Sequence, residues 1–115
     1  MDKIIFGDCF SEIKNISDNS VDLILTDPPY GIDQLNVNWS YDKIESSKSK
    51  SDIVGGLPVG MKFNPIDAKN LGDFIYKISL EWVRVLKPGG FCIVFSQPRS
   101  SHRVGVALED SGFEL

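Results

Sequence analysis

Apolar positions along the chain follow two rhythms that exchange several times. Lys3-Ile4-Ile5-Phe6 is a short apolar run stopped by Gly7-Asp8, and Phe10, Ile13 and Ile16 then recur at roughly helical spacing. The pattern predicts strand, turn and short helix. After the polar Ser17-Asp18-Asn19-Ser20, the segment Val21-Asp22-Leu23-Ile24-Leu25-Thr26 predicts a second strand, β-branched in part. Asp27-Pro28-Pro29 ends it, because two consecutive prolines remove backbone donors and force an extended exit.

From Asp33 to about Met61 the chain is rich in Asn, Ser, Lys and Gly and sustains neither rhythm, which predicts a long loop. Loops of that length act as lids or binding segments or are disordered, and both readings stand. Asn64-Pro65 is a helix start: Asn can cap, Pro suits the first helical position, and Asp67 complements the helix dipole. Leu71, Phe74, Ile75, Ile78, Trp82, Val85 and Leu86 share one face of the helix that follows and predict its core side, with Lys87-Pro88-Gly89-Gly90 as its end. Phe91-Cys92-Ile93-Val94-Phe95 is an unbroken apolar run, as expected for a strand covered on both faces in a parallel sheet. A helix from Arg99 to Asp110, with Val104, Ala107 and Leu108 inward, is broken by Gly112, and Phe113-Glu114-Leu115 opens a further strand.

Strands alternating with helices predict an α/β fold with an open sheet of parallel strands and right-handed crossovers. In such sheets ligands collect beyond the carboxyl ends of the strands. That singles out Asp8, the stretch from Asp27 to Tyr30, and Ser96-Gln97.

Composition narrows the picture. With 115 residues the chain has room for one globular unit, and 42% hydrophobic and 24% charged residues are ordinary for a soluble domain. No apolar run is long enough to span a bilayer, and Asp2 and Asp8 stand where a secretory signal places a basic segment and an apolar stretch, so a cytoplasmic location is expected, without a membrane partner. Cys9 and Cys92 lack metal-ligand spacing and read as reduced thiols; no metal is expected. The net charge of −4 has the wrong sign for gripping phosphates, since non-specific DNA affinity comes from Lys and Arg displacing counterions.

The chemically pointed segment is Thr26-Asp27-Pro28-Pro29-Tyr30-Gly31. An exocyclic amine on a base is a poor nucleophile because its lone pair is delocalised into the ring. An enzyme that alkylates it must accept its hydrogens and hold the nitrogen in line with the electrophile. Asp27 can accept one hydrogen and the Pro28 carbonyl another, because proline keeps its acceptor while losing its donor. Tyr30 offers a flat face for a flipped base, a contact worth about 1–3 kcal/mol in single-strand systems. The plainer alternative is a strand-ending turn in which Asp27 caps backbone amides and Tyr30 packs.

These residues resemble the amino-methyltransferases of DNA, whose motif is Asp-Pro-Pro-Tyr at the end of the fourth strand of the catalytic sheet. The resemblance extends to Gly7-Asp8-Cys9 with Val21 to Thr26, which looks like the family's third-strand turn and approach to the motif. It extends also to Arg84-Val85-Leu86-Lys87-Pro88-Gly89-Gly90, which looks like its helix exit before the fifth strand. The resemblance implies part of a Rossmann-like sheet that uses S-adenosyl-L-methionine, with Asp8, the Cys9 backbone and Asp27 toward the cofactor. It implies Asp27, Pro28 and Tyr30 as catalytic and Pro29, Tyr30, Gly31, Ser96 and Gln97 toward the base. Ser96-Gln97-Pro98-Arg99 equally fits a helix cap at Ser96 with a solvated Arg99, His102 and Arg103 read as surface residues, and Trp39 and Tyr41 as packing anchors.

The family's Phe-x-Gly-x-Gly turn has no match in this chain, and neither Gly55-Gly56 nor Gly89-Gly90 replaces it. The order of motifs resembles the opening portion of a permuted arrangement, in which that turn and the target-recognition region come later. The resemblance places the third strand at the outside of the sheet, separated from the fourth by two strands, so a gap is expected, and with it weak cofactor binding and no methylation by residues 1–115 alone. Asp27 resembles the adenine-N6 pattern more than the cytosine-N4 pattern. RNA or protein-amide methyl transfer and a non-catalytic remnant are the alternatives. A cognate restriction endonuclease and a bacterial, archaeal or phage origin complete what the resemblance implies.

Overall fold

A computed structural model of the chain describes residues 2–29 and 65–115, apart from the side chains of Pro65 and Asp67. The expected long loop at 33–61, with Trp39 and Tyr41, and the capping Asn64 lie outside the described residues. Helix α1, Cys9–Glu12, runs on into a 3-10 turn at Ile13–Asn15. Strand β1 is Val21–Thr26, helix α2 is Pro65–Val85, strand β2 is Leu86–Val94 and helix α3 is Ser101–Ser111. Strands β1 and β2 pair in parallel, as the alternation of elements predicted for an α/β fold.

The core forms where two amphipathic helices meet one face of this sheet. Leu71, Ile75, Ile78 and Trp82 of α2 interlock with Val104, Ala107 and Leu108 of α3, while Ile24, Cys92 and Val94 close the cluster from the strands. All seven residues assigned to the inner face are buried or packed on that cluster: five belong to it or pack on it, and Val85 and Leu86 are buried where helix becomes strand. Ile75 is wholly enclosed. Its truncation would leave a cavity as well as lose transfer energy. Gly112, in the left-handed region at φ 116°, sends its N–H back to Glu109 and Leu108 and stops α3, as its position predicted.

Four local expectations are corrected. Lys87-Pro88-Gly89-Gly90 does not lie between helix and strand but inside β2: Val21 is opposite Leu86 and Leu23 opposite Phe91, so extra residues bulge from β2 there. Helix α3 starts after Ser100, two residues later than expected, and its cap position is Ser100 and not Ser96. Residues 3–6 and 113–115 pair with no strand among the described residues, and Ile4 and Phe6 are 98% and 99% exposed. A strand is a pairing, and an apolar run alone does not make one without a neighbour to receive its N–H and C=O groups.

The fourth correction concerns the faces of the sheet. Ile24, Cys92 and Val94 point to the helices, whereas Leu23, Leu25, Phe91, Ile93 and Phe95 stand exposed on the opposite face. The apolar run at 91–95 therefore reports side chains suited to two covered faces, of which the described residues cover one.

The segment between the 3-10 turn and β1 is fastened to the end of α2. Asn19 and Ser20 donate their N–H groups to the carbonyls of Arg84 and Val85 at 3.0 and 2.8 Å, which satisfies acceptors that a helix end leaves open. Asn19 reaches this position with φ 51°, a conformation its short polar side chain tolerates.

Candidate catalytic site

Asp27, Ser96 and Gln97 follow the carboxyl ends of the two strands. Thr26 lies opposite Val94, and the Phe95 N–H continues the ladder by donating to the Thr26 carbonyl at 2.9 Å. Asp27 and Phe95, the next residues of each strand, therefore leave the sheet level with each other, with Ser96 one residue further along. The Asp27 side chain is exposed, the Pro28 ring buried and Pro29 exposed. A buried ring with its φ fixed by covalent geometry holds the backbone between the two exposed residues. Tyr30 and Gly31 lie outside the described residues.

Ser96 and Gln97 are half-buried, and the Ser96 hydroxyl donates a long bond, 3.4 Å, to the Gln97 carbonyl. That carbonyl also accepts the Ser100 and Ser101 N–H groups at 3.1 and 2.9 Å, so Gln97 bends the chain into α3 while its side chain stays available at the sheet edge. Sequence reasoning passed over Ser100, which is buried and whose Oγ has no partner among the described residues.

Asp8 reaches the same end by a different route. Its Oδ2 accepts both the Ser11 N–H at 3.0 Å and the Ser11 hydroxyl at 3.2 Å, so the carboxylate does cap α1. Capping occupies one oxygen; Oδ1 has no hydrogen-bond partner among the described residues, and the side chain is exposed. Gly7, at φ 154°, sits where a Cβ would come within 2.7 Å of the Glu12 Cγ, which accounts for glycine before this acid. The next residue, Cys9, is exposed and opens α1, where a backbone N–H has no acceptor within the helix.

Two contacts orient α1 on α2. The Phe10 ring meets Phe74 edge-on, with centroids 5.3 Å apart, and Arg84 binds the carbonyls of Ile13 and Ile16 at 2.9 and 2.8 Å. Phe74 precedes Arg84 by ten residues, about 15 Å along a helix. Because α2 passes directly into the start of β2, Arg84 marks the amino end of the strands and Phe74 lies toward their carboxyl end. Asp8 therefore projects toward the end occupied by Asp27 and Ser96.

Three ionisable groups outside the predicted site residues are shifted. Bonds to Asp18 and then Glu81 raise the Arg84 guanidinium further above its usual range, and the Lys69 ammonium holds the Asp73 carboxyl low through a 2.9 Å bond. Burial pushes the Cys92 thiol up to about 11, which keeps it protonated and inert. Among the described residues no cluster of His, Cys, Asp or Glu is arranged to hold a metal ion, and no helix is long and apolar enough to cross a membrane.

Parallel strands with helices packed on one face make an α/β unit consistent with part of a Rossmann-like sheet. Residues 21–115 match the model of the N6_N4_Mtase family, described as DNA methylase, and the chain belongs to that family. It is 34% identical, over 98% of its length, to the Type II methyltransferase M.HindIII of Haemophilus influenzae. It is 32% identical over 84% of its length to the Type II methyltransferase M.BamHI of Bacillus amyloliquefaciens, and 24% identical over 97% to the Type II methyltransferase M2.DpnII of Streptococcus pneumoniae. The chain spans 40%, 18% and 38% of those three relatives.

Proposed function

We propose that this chain carries the amine-binding half of a DNA methyltransferase that transfers a methyl group from S-adenosyl-L-methionine to the exocyclic N6 of adenine. The observation that carries the reading is the pairing of an exposed Asp27 with a buried Pro28 at the point where β1 leaves the sheet, just past the last rung to Phe95. The family match and the Type II methyltransferase relatives support methyl transfer to DNA as the reaction class.

Asp27 accepts one hydrogen of the base amine and the Pro28 carbonyl the other, which returns lone-pair density to the nitrogen and orients it for in-line attack. When bound, the cofactor supplies an electrophilic methyl group. As the nitrogen–carbon bond forms and the carbon–sulfur bond breaks, the amine becomes cationic, and the Asp27 carboxylate stabilises that charge and takes up the surplus proton on its way to solvent. Tyr30 stacks on the base once it has left the duplex, and Pro29, Gly31, Ser96 and Gln97 line its surroundings.

The cofactor fits the residues that this end offers. Asp8 keeps one carboxylate oxygen without a described partner beside the first N–H groups of α1, so acceptor and donor lie next to each other for the polar edges of an adenosyl group. Asp8, the Cys9 backbone and Asp27 are assigned to it. The DNA duplex, and any cognate endonuclease, are partners of the complete protein, since the net charge of −4 supplies no phosphate-binding surface here.

Mass spectrometry of nucleosides from DNA incubated with the complete gene product and cofactor tests the reading. N6-methyldeoxyadenosine is expected. N4-methyldeoxycytidine alone would move the substrate to cytosine, methylated RNA or protein amide would move it out of DNA, and no methylated product would leave a non-catalytic remnant.

A further inference from the structure

The fold leaves the Gly7-Asp8 turn with few means of attachment. Residues 3–6, just before it, pair with no strand among the described residues, and α1 itself contains no buried residue. Beyond the backbone bonds of Asn19 and Ser20 that fasten the following turn to the end of α2, its hold on the rest of the molecule comes from Phe10 and Ile13, packed at the border of the core, and from one polar side chain on α2.

That side chain is Arg84. Its Nη2 donates to the Ile13 carbonyl at 2.9 Å, its Nη1 to the Ile16 carbonyl at 2.8 Å and to Asp18 at 2.6 Å, and its Nε to Glu81 at 2.8 Å. Glu81, one turn back on the same helix, fixes the plane of the guanidinium, and the other two nitrogens reach the turn that ends the α1 segment. The carbonyls of Ile13 and Ile16 flank the last residues of that segment, whose first residue follows Asp8. Arg84 thus grips one end of a seven-residue helical unit, Cys9 to Asn15, and the Asp8 carboxylate caps the other.

We propose that Arg84 is a positioning residue for the cofactor: by clamping the end of the α1 segment to α2, it sets where Asp8 stands relative to Asp27. The inference rests on the cofactor role of Asp8 proposed above. A guanidinium is needed because two carbonyls and two carboxylates are served at once by a planar fork, whereas an ammonium is a single point charge on a flexible stem. The phenyl contact at Phe10 allows the segment to pivot, and the clamp removes that freedom. Loss of the clamp changes the placement of Asp8 without touching the amine-binding pair at Asp27 and Pro28.

The test compares Arg84→Gln and Arg84→Lys with the parent in the complete gene product. It reads KM for S-adenosyl-L-methionine, KM for DNA, kcat, and hydrogen exchange at the amides of Ser11, Glu12 and Ile16, each of which bonds within the clamped segment. Arg84→Gln should raise the cofactor KM about tenfold with kcat within about twofold, and speed exchange at those three amides more than at Cys92 to Val94 in β2; Arg84→Lys should fall between. An unchanged cofactor KM, or exchange accelerated equally in β2, would overturn the proposal, and if Arg84→Gln is too unstable to assay, Arg84→Lys decides by the same split. Asp8→Ala, measured alongside, separates the two ideas. If it leaves the cofactor KM unchanged while the Arg84 variants still loosen the segment, the cofactor role of Asp8 fails and the clamp is structural alone.

Discussion

The N–H of Phe95 donates to the carbonyl of Thr26 at 2.9 Å, one step beyond the paired residues Thr26 and Val94. This last rung is what makes neighbours of Asp27 and Phe95, residues 68 positions apart in the sequence, with Ser96 next along the chain. Past it, Pro28 has no N–H to return to the Phe95 carbonyl, so the ladder from β1 ends there.

The core argument predicts a contrast between two apolar residues. Ile75 is fully enclosed between α2, α3 and the sheet, so Ile75→Ala should lower unfolding free energy by about 2–5 kcal/mol in urea titration. Leu25 lies on the face that the described residues leave uncovered, with 61% of its surface exposed, and Leu25→Thr, which introduces a β-branched residue suited to a strand, should shift stability by less than about 0.5 kcal/mol while improving solubility.

Gly7 should resist substitution for a stated geometric reason. Gly7→Ala places a methyl 2.7 Å from the Glu12 Cγ at a positive φ, and a loss of about 1–3 kcal/mol is expected in thermal unfolding. Shortening Glu12 to Ala in the same chain should recover the steric part of that loss and leave the backbone part.

The two thiols should differ in reactivity. Cys9 is exposed, whereas burial raises Cys92 from 9.0 to about 11, so at pH 8 an alkylating reagent should modify Cys9 rapidly and Cys92 only upon unfolding. The sign of the linkage follows: a folded-state value above the unfolded one gives a contribution fully present below pH 9 and lost as pH rises through 11. Denaturation midpoints under reducing conditions should fall across that window, and Cys92→Ala should remove this part of the pH dependence.

Residues 1–115 contain no Phe-x-Gly-x-Gly turn, the element expected to bring backbone against the methionine part of the cofactor. Calorimetric titration of the isolated chain with S-adenosyl-L-methionine should therefore give little or no heat of binding. Tight binding would mean that Asp8, Cys9 and Asp27 suffice.

Much of this organisation was legible in the residues. Strand β1 has the bounds its β-branched run and its prolines predicted, α2 buries the face its three- and four-residue spacing marked out, and Gly112 stops α3. What was not legible depended on partners distant in sequence. Ile4 and Phe6 read as strand, yet no described neighbour pairs with them; Phe91 to Phe95 read as doubly covered, and the described residues cover one face. The bulge at Lys87 to Gly90 is a matter of register against β1, which periodicity within β2 does not contain. At the site, Asp27 and Asp8 stood out because each closes an apolar run, whereas Arg84 was one more basic residue in the last turn of a helix. Its four partners come from the turn after α1 and from its own helix, and no local pattern announces them.

The proposed grip of the Asp27 carboxylate on a base amine is tested by methyl transfer to DNA by Asp27→Ala and Asp27→Asn forms of the complete gene product, alongside their DNA affinity and unfolding curves. Asp27→Ala should lose at least about a hundredfold in kcat with folding and DNA binding intact, and Asp27→Asn, which keeps an acceptor but not the charge, should retain a fraction of it. Turnover by Asp27→Ala at the parent rate would rule that grip out.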